Sequence, residues 1–233
     1  MVGPGKFLGT LVKIVSRVSV QGQANLEILD RPGPAIIVVN HTTVVDVIVV
    51  VGTLHNMGFT ADGPCEGVCP HRRHIRPMGT SDLWNFPVSK QVCEGSGIIP
   101  VDQFDGRGAY KAARDALKRG EVILIYPEGD VKINEQGAPR SWRPGASGLA
   151  KAGSAVVIPI AHHDSRNLGS GSVRRSIVMG LTSFLRRPVI QLRIGKPVDS
   201  DQLKPLSVSQ ANDLLEQTLF DTWQLTSAET TSR

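Results

Sequence analysis

Short apolar runs that alternate with helical patterns constrain the fold of this chain more than any other feature of its sequence. Apolar residues dominate the predicted strands over residues 35–39, 97–101, 121–126 and 155–160. A fifth strand is predicted over residues 189–194, and helical spacing covers residues 44–54, 108–119 and 209–225. Strands that are apolar throughout and alternate with helices are typical of parallel sheets covered on both faces. We therefore predict an α/β fold with a mixed, largely parallel central sheet flanked by helices. Residues 58–80 give no clear element, and we interpret them as a loop over a cleft.

The length of the chain favours a single domain. With 233 residues and 40% hydrophobic content, the chain can bury a sizeable core. We predict an N-terminal amphipathic helix within residues 1–20, one domain over residues 21–225 and a flexible tail over residues 226–233.

The N-terminal helix is a possible membrane contact. Apolar residues recur at near-helical spacing from Phe7 to Val18, with Lys6, Lys13 and Arg17 beside them. The segment is too short to cross a bilayer. It can lie in the membrane interface or pack against the rest of the protein, and the sequence favours neither alternative.

The charge of the chain is uneven and favours anionic partners. The net charge is +5, but residues 199–233 hold six acids and two bases, so the rest of the chain carries 24 bases and 15 acids. Such a body suits anionic lipid, an acidic carrier protein or a phosphorylated substrate. No nucleic-acid motif accompanies the charge, and aromatic residues for stacking on bases are sparse, so nucleic acid is not an expected partner.

Cysteine use indicates a cytoplasmic protein. Three cysteines do not make a complete disulfide framework, and no cleavable signal peptide is evident. Cys65, Cys69, His71 and His74 are four possible zinc ligands within ten residues. They lack the two separated ligand pairs of usual structural zinc sites, and they lie among arginines. We interpret the segment as a solvated basic loop and keep zinc as the alternative.

Residues 40–46, directly after the first apolar run, carry the strongest chemical pattern. On one uninterrupted helix His41 and Asp46 would point well apart, because five positions turn the chain by roughly 500°. A strand that ends near Val39, a bend, and a helix that begins near Thr43 would bring both side chains to one cleft. His41 is then a candidate base with Asp46 as its orienting carboxylate. The alternative is that Asp46 only caps the helix.

Four short strings occur in a fixed order along the chain. They are the His-x4-Asp pattern that follows Asn40, the strand from Gly97 to Asp102, the string Tyr126-Pro127-Glu128-Gly129, and residues 157–160 with a central proline. Together they resemble the glycerolipid acyltransferase family, of the lysophosphatidic acid acyltransferase type, over about residues 35–162. The resemblance implies the α/β fold of that family.

The resemblance implies an O-acyltransferase that moves a fatty acyl group from a thioester of coenzyme A or acyl carrier protein to a hydroxyl of a lysophospholipid-like acceptor. By that implication His41 is the general base and Asp46 its partner, with no cofactor, no metal and no covalent acyl-enzyme. An alcohol needs such a base, because its pKa lies far above neutrality. Backbone N–H groups near Thr43 are candidates for oxyanion stabilisation. We expect a cytoplasmic enzyme that associates peripherally with an anionic membrane.

Further residues of these strings have roles that the resemblance implies. Glu128 and Gly129 match the third motif, which lies at the acceptor site, although in isolation they would be interpreted as a tight turn. Arg143 resembles the basic residue that follows this motif and is a candidate contact for an anion. Four residues are expected to be structural, the last of them at the end of a strand: Asn40, Gly97, Pro127 and Pro159.

Two residues depart from the family pattern at the acceptor site. Gln103 stands where the family usually has an arginine that contacts phosphate, and Asp130 replaces the usual serine or threonine. A neutral amide cannot make the bidentate contact of arginine, and a carboxylate repels phosphate. Either another cation replaces the arginine, or the acceptor is a non-phosphate molecule such as a glycolipid, an amino-acid-derived lipid or a specialised metabolite. The candidate replacements are Arg72, Arg73, Arg76, Arg107 and Arg143.

Two other functions stay open. A non-catalytic lipid-binding relative would keep the fold without turnover, but the intact His41 and Asp46 argue against it. A thioesterase would use His41 to activate water. The chain has no Gly-x-Ser-x-Gly nucleophile motif, since Ser147 has the wrong flanking spacing.

Overall fold

Seven strands form one central sheet in the part of the chain that the structure describes. This structure, a computed structural model, describes residues 4–31, 33–43, 45–61, 74–85, 87–102, 104–129, 138–139, 141–163, 179 and 182–231. The strands are Arg17–Gln21 (β1), Ala35–Val39 (β2), Ile75–Thr80 (β3), Ile99–Val101 (β4), Val122–Ile125 (β5), Val156–His163 (β6) and Val189–Ile194 (β7). The helices are Pro4–Val15 (α1), Asp46–Asn56 (α2), Pro87–Gly95 (α3), Arg107–Lys118 (α4), Gly145–Gly153 (α5), Ser200–Leu203 (α6) and Val208–Thr231 (α7). Gln23–Asp30 and Ser81–Asn85 are 3-10 helices.

The strand order is β1-β7-β6-β2-β5-β3-β4. Every neighbouring pair is parallel except β6 and β7, which are antiparallel. The prediction of an α/β fold with a mixed, largely parallel sheet is therefore confirmed.

The central strands are buried on both faces. Every residue of β2 is buried, and successive side chains point to opposite faces of the sheet. Ile36 and Val38 join a core with residues of α4, α5 and α7, whereas Ile37 and Val39 join a second core with residues of α2 and the first 3-10 helix. The sheet is thus covered by helices on both sides. In such folds, chemistry is located at the carboxyl ends of the strands.

Several elements differ from their predicted bounds. Residues 17–21 form the edge strand β1, so the N-terminal helix ends at Val15 and does not continue to Val18. The sequence Arg-Val-Ser-Val-Gln alternates polar and apolar residues, which favours a strand beside β7. β3 lies inside the predicted loop over residues 58–80, of which residues 62–73 are outside the described ranges. β6 runs on to His163, three residues beyond its predicted end.

Helix α1 packs closely against α2 along one face. Leu8 and Val12 are buried at this contact, and a Cβ added to Gly52 would lie 2.7 Å from the Leu8 carbonyl oxygen and from a methyl carbon of Val12. Phe7 and Ile14, on the rest of the helix surface, are exposed. One face therefore packs against the protein, while a membrane role for the exposed face stays a prediction. None of the helices in the described ranges has both the length and the apolarity that crossing a bilayer requires.

Candidate active site

The bend between β2 and α2 brings the predicted base and acid into contact. His41 follows β2 at the carboxyl edge of the sheet, and Asp46 is the first residue of α2. Nδ1 of His41 lies 3.1 Å from Oδ2 of Asp46, whose side chain is fully buried. A carboxylate only accepts hydrogen bonds, so Nδ1 carries the proton and Nε2 of the neutral ring keeps its lone pair. The pair therefore has the geometry of a base that an acid holds in one tautomer.

Asp46 also holds the backbone of the bend. Its Oδ2 accepts the backbone N–H groups of Thr42 and Thr43 at 2.6 and 2.8 Å. Oγ1 of Thr43 accepts the N–H of Val45 at 3.1 Å. The contact of Asp46 with the Thr43 N–H is one half of a capping box, but the Thr43 hydroxyl accepts from Val45 and not from Asp46, and the regular helix begins only at Asp46. Capping the helix and orienting the base are thus two functions of one carboxylate.

Several backbone N–H groups near Thr43 that were candidates for oxyanion stabilisation already donate hydrogen bonds within the protein, and Val44 lies outside the described residues. Those of Thr42 and Thr43 donate to Asp46, and that of Val45 donates to Thr43. The N–H of His41 donates to Oε1 of Glu128 at 2.8 Å. These four N–H groups are therefore not available as oxyanion donors, because side chains of the bend and of the segment after β5 accept their hydrogen bonds.

A second histidine, His162, lies beside Asp46. It is buried in β6, and its Nε2 lies 2.7 Å from the carbonyl oxygen of Asn40 and 3.4 Å from Oδ2 of Asp46. Because a carbonyl only accepts, this Nε2 carries a proton. The Asn40 side chain donates to the His162 carbonyl at 3.1 Å and accepts from the His162 N–H at 2.9 Å. Asn40 therefore ties the end of β2 to β6, which favours the structural role predicted for it.

Burial and the two neighbouring histidines have opposite effects on the pKa of Asp46. Burial raises the pKa of the carboxyl, whereas the charge of His162 and the hydrogen bonds from His162 and His41 lower it, and the balance holds that pKa well below its usual range. Burial lowers the pKa of His162, but the charge and hydrogen bond of Asp46, with smaller contributions from Asn40 and Glu128, raise it above its usual value. Asp46 is therefore ionised at neutral pH.

The segment after β5 supports His41 from the neighbouring strand. Glu128 is buried and accepts the His41 N–H, and the ring centroids of Tyr126 and His41 are 4.5 Å apart. Burial, together with the charge of Asp46, raises the pKa of Tyr126 well above its usual value, so the phenol stays protonated. Its buried hydroxyl has no hydrogen-bond partner within the described ranges. Glu128 thus positions the base, and its predicted contact with an acceptor stays a prediction.

The other residues of the third motif gather around Arg143. Gly129 has a φ of 70°, and a Cβ at this position would lie 2.7 Å from Nε of Arg143. The backbone N–H of Arg143 donates to the carbonyl oxygen of Pro127 at 2.9 Å. The structure therefore brings Pro127, Gly129 and Arg143 together beyond the end of β5, beside the segment that supports His41. The exposed guanidinium passes over the glycine, which has no side chain to displace it.

Two of the proposed replacement cations are paired elsewhere. Nη1 of Arg76 lies 3.0 Å from Oε2 of the buried Glu121, and both residues lie at the amino ends of their strands, on the edge opposite His41. Arg76 as an acceptor contact is therefore wrong. Arg107 is bonded to Asp105 on the surface. Arg72 and Arg73 lie outside the described residues. Arg143, whose exposed guanidinium lies beside Gly129, stays a candidate.

The remaining predicted residues have mixed outcomes. Gly97 adopts a φ of 64° in the turn before β4, far from the site, which fits a structural role. Pro159 lies inside β6 opposite Val38, so its predicted place at a strand end is wrong because the strand continues to His163. Gln103 and Asp130 lie outside the described residues.

The zinc alternative concerns residues that are mostly outside the described ranges. Cys65, Cys69 and His71 are among those, and Nδ1 of His74 lies 3.2 Å from Oγ1 of Thr60. Elsewhere in the described ranges, no group of three or more His, Cys, Asp or Glu side chains could hold a metal ion. The question of zinc stays open.

Sequence reasoning missed His162 and the hydroxyl of Tyr126. The predicted strand ended at residue 160, which left the pair His162 and His163 unassigned. Had the strand been extended, period-two alternation would have placed His162 on the same face as Ile158 and Ile160, toward α2 and Asp46.

Comparisons with known proteins identify the family and the fold of the chain. The protein-family model described as Acyltransferase matches residues 17–163, which is more than half of the chain. Among solved structures, the chain is similar to a crystal structure of the 1-acyl-sn-glycerophosphate (LPA) acyltransferase PlsC from Thermotoga maritima, with 18% sequence identity and a TM-score of 0.66. The match covers 98% of this chain and 80% of that chain. A search of curated protein sequences finds no significant match. At 18% identity, the structural similarity shows the fold.

Proposed function

This chain belongs to the acyltransferase family, and we propose that it moves a fatty acyl group from a coenzyme A or acyl carrier protein thioester to a hydroxyl of a lysophospholipid-like acceptor. The observation that carries the proposal is the contact between His41 Nδ1 and Asp46 Oδ2 at the carboxyl edge of the sheet. That contact leaves His41 Nε2 as a proton acceptor at the end of a buried strand.

In the proposed reaction, His41 Nε2 accepts the proton of the acceptor hydroxyl as its oxygen attacks the thioester carbonyl carbon. The ionised Asp46 stabilises the imidazolium that forms, and its buried position keeps it aligned with Nδ1. When the carbon–sulfur bond breaks, the departing thiolate takes the proton from Nε2. The products are an ester and a free thiol, and His41 returns to its starting state.

Residues around the base support its orientation from neighbouring strands. Glu128 fixes the backbone of His41 from the end of β5, and Asn40 and His162 fix the bend from the end of β6. A base that is held on rigid elements needs little reorganisation when it reacts. This arrangement favours catalysis over a non-catalytic lipid-binding role, which would not require an oriented imidazole.

Thiol release from an acyl-coenzyme A pool, measured with and without a mixture of lysophospholipids, tests the chemistry. We expect acceptor-dependent release by the wild type and a loss of at least about a hundredfold in His41→Ala, since general-base catalysis contributes about 10²–10⁴-fold. His163→Gln is a matched control, because His163 lies at the end of β6 on the opposite face, against Trp223. Equal rates in wild type and His41→Ala would refute the base. Full-rate release of free fatty acid without acceptor would indicate a thioesterase.

Arg143 is the proposed contact for an acceptor anion. The test compares lysophosphatidic acid with a monoacylglycerol of the same chain length, in wild type and Arg143→Gln. If the phosphate is bound there, we expect Arg143→Gln to raise KM for lysophosphatidic acid about tenfold or more, because hydrogen bonds to charged groups contribute about 1.5–3 kcal/mol. KM for monoacylglycerol should not change. A wild type that prefers the uncharged acceptor would support the non-phosphate alternative that Gln103 and Asp130 raise.

A further inference from the structure

Exposed apolar and cationic residues gather where α1 ends and β7 begins. Phe184 and Leu185 have 52% and 75% of their surface exposed, and Ile14 has 54%. Nη2 of Arg187 donates to the carbonyl oxygen of Lys13 at 2.8 Å, which joins the two segments. We call this surface the edge patch; it comprises Lys13, Ile14, Arg17, Phe184, Leu185 and Arg186.

The edge patch lies at the same edge of the sheet as the candidate base. β7 is antiparallel to β6, with Gln191 opposite His163, so the segment before β7 lies where β6 ends. β6 is parallel to β2, with Ile160 opposite Val39, so both strands end at this edge. His41 follows the end of β2 by two residues. A surface bound at the edge patch therefore lies on the side of the sheet where an acceptor must enter.

The segments that form the edge patch carry charge of one sign. Residues 13–17 and 182–189 hold four Lys and Arg residues and no Asp or Glu. Exposed apolar side chains among cations match a surface with an apolar interior and anionic headgroups. A partner surface that is only acidic would match the cations but would leave the exposed Phe184 and Leu185 without an apolar environment.

We propose that the edge patch binds the surface of an anionic lipid bilayer. Phe184 and Leu185 enter the acyl-chain boundary, while Lys13, Arg17 and Arg186 contact the headgroups. This inference rests on the proposed function, because membrane binding would serve an enzyme whose lipid acceptor resides in the bilayer. Docking at this edge lets the acceptor reach His41 without crossing bulk water.

Vesicle sedimentation of the full chain tests the proposal. Vesicles of phosphatidylcholine alone are compared with vesicles that also contain phosphatidylglycerol. We expect binding only to the anionic vesicles, weakened by high salt. The double variant Phe184→Ser, Leu185→Ser should bind about tenfold or more weakly, because two apolar side chains no longer leave water. Leu225→Ser is the matched control, since Leu225 is 58% exposed on α7.

A charge variant, Lys13→Gln with Arg186→Gln, should lose the preference for anionic vesicles, whereas Lys111→Gln on the exposed surface of α4 should keep it. Point variants are needed because removing residues 1–20 would delete α1, which packs on α2, and most of β1. Each variant is checked for an unchanged urea midpoint. Wild-type binding by the Phe184 and Leu185 variant would overturn the proposal. A wild-type dimer in gel filtration that dissociates in the same variant would also overturn the proposal.

Vesicle binding needs no turnover, so the two proposals fail separately. Vesicle binding through the edge patch without acyl transfer to any acceptor would refute the proposed function alone. Acyl transfer to a water-soluble, short-chain acceptor by a protein that ignores anionic vesicles would refute the edge patch alone.

Discussion

Replacing Asp46 by asparagine isolates the charge of the carboxylate with little change in shape. The amide oxygen can take the place of Oδ2 and still accept the N–H groups of Thr42 and Thr43, which lie 2.6 and 2.8 Å from it in the wild type. What the variant loses is a full negative charge 3.1 Å from Nδ1 of His41. We therefore expect a folded protein in which the charged form of His41 is less stabilised than in the wild type.

The size of the loss follows from Coulomb's law. At an effective dielectric constant of about 20, a full charge 3.1 Å from Oδ2 is stabilised by about 5 kcal/mol. His41 is partly exposed, so solvent screens part of this energy. Because each 1.36 kcal/mol corresponds to about tenfold in rate, we expect kcat to fall by about 10²–10⁴-fold in Asp46→Asn.

The assay is acceptor-dependent thiol release at saturating donor, with urea unfolding in parallel. Asp46→Asn should lose about 1–3 kcal/mol of stability at pH 6, because charge-assisted hydrogen bonds become neutral ones. The pKa of Asp46 is lowered in the folded protein, so its contribution is present above the unfolded pKa near 4 and is lost as the pH falls further. The stability difference should therefore shrink below about pH 4. A kcat within about threefold of the wild type would refute the role of Asp46 in supporting His41.

Three further substitutions test separate parts of the structure. Gly52→Ala should destabilise the protein by about 1–3 kcal/mol in urea unfolding, because the added Cβ meets the Leu8 carbonyl oxygen. The control Gly148→Ala has open space around it and should stabilise the protein slightly. Equal urea midpoints for the two variants would contradict the tight packing of α1 on α2. Tyr126→Phe should raise stability by about 1 kcal/mol, since a buried hydroxyl without a partner in the described ranges is removed, and a clear loss would reveal a partner. The third substitution is His162→Gln. Because folding raises the pKa of the wild-type histidine, the loss of stability in His162→Gln should be largest below about pH 6.5 and should shrink as the pH rises. A loss that grows with pH would refute the stabilising contact between His162 and Asp46.

The fold and the base were predictable because their patterns are local. The buried strands β2 and β5 are apolar throughout, and β6 is apolar up to Ala161; such runs leave few alternatives to a sheet covered on both faces. His41 and Asp46 are five residues apart, so one strand end and one helix start suffice to bring them together. The contact between the two side chains needed no information from distant parts of the chain.

The elements that sequence reasoning missed depend on distant partners. β1 has only five residues, and its strand conformation depends on β7, which lies about 170 residues away in sequence, with Arg17 opposite Val189. β3 contains Arg76, Pro77 and Gly79, which give no strand pattern, and is held by β5 on one side and β4 on the other. Edge strands and short strands of this kind are specified by tertiary context more than by propensity.

The roles of Glu128 and His162 in the site show why motifs far apart in the chain act together. β2 lies between β5 and β6, and all three are parallel, so the residues that follow them meet at one edge. Glu128 then reaches the backbone of His41 from one side, and His162 reaches Asn40 and Asp46 from the other. The bend that carries the base is therefore held by both neighbouring strands. Substitution of Glu128 or His162 should displace His41 although His41 itself is unchanged. A short His-x4-Asp string therefore needs the other strings to become a site.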